Sequence, residues 1–134
     1  MSEIKVDTLT GKTTAGNITV TSEGGAATFQ MQQGLAKSWV SIEQVAPTVL
    51  DSFAISSIVD NATGDMELNL TNSLANTDYV VTGSVGNNNG SKSTSATYFR
   101  GHTWQTGAYK FMSFYSGGVG EWSHTSFELV GDLA

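Results

Sequence analysis

Residues 51–71 constrain the fold more than any other part of the chain. Asp51-Ser52-Phe53-Ala54-Ile55-Ser56-Ser57-Ile58-Val59 and Met66-Glu67-Leu68-Asn69-Leu70-Thr71 both alternate apolar with polar residues, and Asp60-Asn61-Ala62-Thr63-Gly64-Asp65 lies between them. Period-two alternation sends every second side chain to one face of a strand, while Asn, Asp and Gly accept the backbone angles of tight turns. The segment is expected to form an antiparallel hairpin with Met66, Leu68 and Leu70 facing inward. Two strands alone bury too little apolar surface to be stable in water, so such a hairpin demands further strands.

The remainder of the chain supplies them. Ser, Thr and Asn make up 41 of the 134 residues and 39% of the chain is hydrophobic, a balance suited to pleated, half-buried strands rather than to disorder. Strand patterns recur at residues 36–42, which include Trp39, and at 78–85, 94–100, 110–115 and 122–130. Gly101, Gly107, Gly117, Gly118 and Gly120 are expected to mark the turns between the later ones, and the single proline, Pro47, a loop. Gly86-Asn87-Asn88-Asn89-Gly90-Ser91 reads as an exposed loop. Only residues 28–33 could make a helical turn or two before Gly34, and they would serve equally well as a linker. The expected fold is all-β: an antiparallel β-sandwich, jelly-roll-like or a small barrel, over residues 26–134.

Residues 1–25 differ in character. They are rich in Thr and Gly, lack aromatics, and contain two short alternating runs, 4–9 and 17–21. The apolar positions Ile4, Val6, Leu9, Ile18 and Val20 offer too little area for a core of their own, so this segment is expected to be an attachment arm or hairpin that adds strands to another sheet or chain.

Charge and composition exclude several classes of function. Six Lys and Arg stand against 12 Asp and Glu, giving a net charge of -6, the opposite of the basic surface that holds a phosphate backbone. Nucleic acid is not an expected partner. With no cysteine there is no disulfide, thiolate metal site or cysteine nucleophile. The residues after Met1 show no basic region followed by an apolar one, and no apolar run approaches the ~20 residues of a membrane span, so synthesis in a cytoplasm without membrane insertion is expected.

Few residues point to catalysis. His102 and His124 are the only histidines and fall in no H-E-x-x-H or H-x-H pattern; they could meet only if their strands paired, and the simpler reading is a surface or loop histidine. The serines include no G-x-S-x-G elbow, and Asp60 and Asp65 are most simply turn formers. The segment Gly86 to Ser93 departs from a phosphate-binding loop because Ser91 intervenes between Gly90 and Lys92. The chain is therefore read as a non-enzyme with no cofactor and no metal. Aromatics concentrate in the last third: Tyr98, Phe99, Trp104, Tyr109, Phe111, Phe114, Tyr115, Trp122 and Phe127. Alternation assigns many of these to the core. Trp104 and Tyr109, beside Gly101 and Gly107, are the expected exposed pair, and with the polar loop at Asn87, Asn88 and Asn89 they form the candidate receptor or glycan contact.

The chain resembles small β-rich virion proteins and tail-fibre modules of marine tailed phages, such as those infecting cyanobacteria. The resemblance rests on Gln33-Gly34-Leu35-Ala36-Lys37-Ser38-Trp39-Val40, on Asp51 to Asp65 as written above, on Asn69-Leu70-Thr71-Asn72 and on Asp78-Tyr79. It extends to the start, Lys5-Val6-Asp7-Thr8-Leu9 and Thr13-Thr14-Ala15-Gly16. The aromatic C-terminal half matches only in general character, and residues 43–50, with Pro47, depart from the short Asn/Gly/Thr-rich connection usual after the tryptophan strand. The resemblance implies a non-enzymatic virion structural protein, an exposed head-decoration knob or short fibre held through its N-terminal arm. Its expected partners are other virion proteins of the head shell or tail and further copies of itself. The alternative is a tail-fibre tip that binds a host-surface receptor or glycan.

Overall fold

The computed structural model describes residues 4–12, 18–21, 25, 27–31, 35–86 and 97–134. They fall into two compact units, Met1–Leu35 and Ala36–Ala134.

In the first unit β1 (Thr19–Thr21) pairs antiparallel with β2 (Thr28–Gln30), Val20 opposite Phe29. The pairing makes a strand of residues 28–30, where a helical turn or linker was expected. Hydrogen bonding to a neighbouring strand, a non-local term, overrides the weak local preference of a short polar segment. The 4–9 run alternates in sequence but is not a strand.

The second unit is an all-β sandwich of two antiparallel sheets. One sheet has the order β4 (Thr48–Phe53), β3 (Ser38–Glu43), β11 (His124–Val130) and β7 (Val80–Gly86). The other contains β5 (Ile55–Ala62), β6 (Asp65–Leu70), β9 (Ala108–Tyr115) and β8 (Tyr98–Trp104), with the short β10 (Gly118–Val119) on the end of β9. The last strand, β11, lies between the first strand of the unit, β3, and β7, so chain closure is a long-range event.

The inward faces meet as alternation predicts. Val40 and Ile42 of β3 and Phe127 and Leu129 of β11 face Met66 and Leu68 of β6 and Tyr109 and Phe111 of β9 across the core. The Phe127 ring sits 4.3 Å from Phe111 and edge-on to Phe99 at 4.8 Å, tying the sheets together through aromatic edges and faces. Each such side chain contributes about 1.5–3 kcal/mol by leaving water. Tyr79, just before β7, donates its hydroxyl to the carbonyls of Gln105 (3.2 Å) and Ala108 (3.1 Å) and so braces the turn between β8 and β9.

The 51–71 segment holds a hairpin, but a different one from that expected. Met66 and Leu68 are buried and Leu70 packs against the core, as predicted. The run 51–59, however, is two strands in different sheets. Ala54, with φ at 56°, breaks it between β4 and β5. The run itself carries no sign of the change of sheet: Ile55 and Ile58 of β5 are half-buried against the core, while β4 is exposed at every position but Ser52. The hairpin is β5–β6, and its turn is only Thr63-Gly64, with Gly64 in the left-handed region at φ 66°. Residues 43–50 close a second hairpin: Gln44 to Pro47 form the turn between β3 and β4.

Candidate functional site

The expected exposed pair does not exist as a pair. Trp104 ends β8 with 42% of its surface exposed, whereas Tyr109 lies one residue into β9 and is 1% exposed. The two rings meet edge to face at 5.6 Å, Tyr109 on the core side. Gly101 is the reason. Gly101, expected to mark a turn, sits inside β8, where any side chain would run into the Tyr109 hydroxyl and the Trp104 ring. The missing Cβ admits both rings to the core margin. Asn87, Asn88 and Asn89 lie outside the described residues. Of the arm positions, Ile4, Val6 and Leu9 are exposed, and Ile18 and Val20 are half-buried.

The histidines fall in different sheets, His102 in β8 and His124 in β11, and do not meet. His102 reaches over β9: its Nε2 is 3.1 Å from Asp65 Oδ1 on β6, and its Nδ1 is 3.1 Å from Thr103 Oγ1. Hydroxyl, imidazole and carboxylate are thus in line, but Thr103 lies on an open strand, without the sharp turn that sets oxyanion donors beside a nucleophile. The chain of contacts acts as a clasp across the bulge between Gly101 and Thr103. Asp65, read as a turn former, is the carboxylate of that clasp. Among the described residues no group of three or more His, Asp or Glu could hold a metal ion.

The outer faces of the two sheets differ. On the five-stranded sheet the charges are matched: Lys110 pairs with Glu67 at 2.9 Å, and the Arg100 guanidinium lies 5.6 Å from the centre of the Phe114 ring, itself stacked on Tyr98 at 5.0 Å. On the four-stranded sheet small polar residues form a cross-strand row. Ser126 of β11 is flanked by Ser41 of β3 and Ser84 of β7, and Asp51 of β4 continues the row beyond Ser41. The next row is taller: Phe53, Trp39, Glu128 and Thr82 stand side by side.

Small residues beside a tall row make a furrow running across the strands. It has a volume of about 290 Å³ and is lined by Trp39, Ser41, Ser126, Ser84, Thr82 and Glu128, with Trp39 38% exposed along its wall. Opposite the tall row stands His124, whose Nε2 lies 3.4 Å from Ser41 Oγ and 3.5 Å from Ser126 Oγ. At Gly83 and Ser84 the furrow adjoins a second concavity of about 410 Å³ beside Thr97 and Tyr98. Sequence reading placed Trp39 on a strand but gave it no role. The signal was present in the polar positions of three separate strands, Trp39/Ser41, Thr82/Ser84 and His124/Ser126/Glu128, which become one surface only once β11 is known to lie between β3 and β7.

The chain matches no protein-family model, no curated protein and no solved structure.

Proposed function

We propose that the chain is a non-enzymatic structural protein of a tailed-phage particle, displayed on the virion surface as a head-decorating knob or short fibre and held there by its N-terminal segment. The observation that carries this reading is the set of exposed apolar side chains at Ile4, Val6 and Leu9, on a stretch that forms no strand of its own. Apolar positions spaced along a segment outside any sheet suit addition to the sheet of a neighbouring protein, with ladder bonds giving affinity and side-chain pockets giving specificity. The all-β second unit supports the same reading as a displayed knob, and the sequence resemblance supplies the particle. Among the described residues no helix is long and apolar enough to cross a membrane.

Immunogold electron microscopy of purified virions tests it. Gold on the head identifies a decoration protein, gold at the tail an adsorption protein, and unlabelled particles end the reading. Virions carrying Ile4→Ser, Val6→Ser and Leu9→Ser together are expected to lose the label while the protein itself stays folded.

A second reading, a fibre tip contacting a host-surface glycan, is favoured by one observation. The furrow on the four-stranded sheet sets an exposed indole beside serine and threonine hydroxyls.

A further inference from the structure

We infer that the furrow across the outer face of β3, β11 and β7 is a binding site for a neutral oligosaccharide, with Trp39 as the stacking platform. The inference deepens the glycan-contact reading and does not depend on where in a particle the protein sits, so labelling of virions and binding of sugar succeed or fail separately.

Three features carry it. The first is shape. Adjacent strands lie about 4.8 Å apart, so a furrow crossing three strands is about 10 Å long, enough for a short run of linked pyranose rings lying across the sheet. The Ser41–Ser126–Ser84 row keeps that track low, and the Trp39–Glu128–Thr82 row walls it on one side.

The second is chemistry. A sugar ring presents an apolar face of C–H groups and a rim of hydroxyls that both donate and accept. The indole face of Trp39 suits the former. For the latter the furrow offers serine and threonine hydroxyls and the Glu128 carboxylate, which makes no ion pair among the described residues. The contacts joining Ser41, Ser126 and His124 are long, 3.4–3.5 Å, so these groups are held in place with hydrogen-bonding capacity to spare. A protein partner would have to bury those groups and match each of them, whereas a sugar brings a hydroxyl for every one.

The third is charge. Glu128 lines the furrow, Asp51 stands opposite Ser41 on the neighbouring strand, and the chain carries a net charge of -6, which disfavours sialylated or uronic-acid glycans and selects uncharged ones. Tyr98, exposed and stacked on Phe114, borders the second concavity, so a longer chain leaving the furrow past Ser84 would meet another aromatic side chain.

The test is a titration of the isotopically labelled full-length protein with soluble neutral gluco-, galacto- and manno-oligosaccharides, read by amide chemical shifts, alongside sialyllactose and oligogalacturonate. Shifts confined to β3, β11 and β7 with a neutral sugar are expected, with little response to the acidic ones. Trp39→Ala should weaken binding about tenfold or more, Trp39→Phe should restore much of it, and Trp104→Ala should leave it unchanged. Ser126→Leu, which fills the furrow, should abolish binding with the amide spectrum still that of a folded protein. Absence of shifts across the neutral panel, preference for the acidic sugars, or binding that survives Ser126→Leu but is lost in Trp104→Ala would each overturn the inference.

Discussion

Gln44 is fully buried in the turn between β3 and β4, and its side-chain oxygen gathers three donors: Ser113 Oγ at 3.1 Å, the Trp122 amide at 3.1 Å and Thr125 Oγ1 at 3.2 Å. The Ser113 hydroxyl has a second acceptor in the Gly120 carbonyl; the other two donors rely on Gln44. Gln44→Ala strands both in a dry site, and each unsatisfied buried donor costs about 1–3 kcal/mol. A loss of about 3 kcal/mol in urea unfolding is expected. Tyr109 makes a different demand. Burial, reinforced by the neighbouring Tyr79, pushes its hydroxyl up to about 12, and burial also raises Tyr79, against the opposing bond to the Gln105 carbonyl. Both groups hold their protons more tightly folded than unfolded. Their contribution to stability is complete below about pH 10, the ordinary tyrosine value, and is lost as pH climbs towards 12. Tyrosinate absorbance and near-ultraviolet circular dichroism followed together through that window should show these two tyrosines ionising only as tertiary structure is lost; ionisation with the dichroism intact would contradict the packing.

At the scale of elements, the β5–β6 hairpin depends on Gly64. Its φ of 66° is unfavourable for other residues, and a Cβ there would lie 2.7 Å from the Gly120 carbonyl oxygen and from Val119 Cγ1. The hairpin tip therefore docks against the end of β10 only because that position has no side chain. Gly64→Ala combines strain with overpacking and should cost about 2–4 kcal/mol in chemical denaturation. Ala54 shows the opposite choice, a left-handed φ of 56° held by a residue with a Cβ where the chain passes from β4 to β5. The Thr71 amide donates to the Ala54 carbonyl at 3.0 Å and fixes that corner to the end of β6.

At the scale of the molecule, the sandwich leaves β4 as an open edge that carries exposed Val49 and Leu50, next to Val45 in the preceding turn. Unpaired ladder groups flanked by apolar side chains invite a second strand, and soluble proteins commonly place charge on such an edge to prevent it. Self-association through β4 is expected, consistent with a displayed oligomer. Light scattering at micromolar concentration should give a mass above one chain for the wild type and the mass of one chain for Val49→Lys/Leu50→Lys. A wild-type monomer would remove the edge from the account of assembly.

What the sequence determined by itself was the class of structure and much of its interior. Alternation in 66–70 turned Met66, Leu68 and Leu70 inward, and alternation in the last third sent many of its aromatics to the core, where Phe111 and Phe127 lie, because period-two burial is a local property of a strand. What it could not determine was which strands are neighbours. The break at Ala54, the burial of Tyr109 and the furrow at Trp39 all depend on pairings between residues far apart in the chain, such as Ser41 with Ser126 and Phe111 with Met66. The polar positions of β3, β7 and β11 look like ordinary solvent-facing residues one strand at a time. Only the tertiary structure, by placing β11 between β3 and β7, turns them into a site.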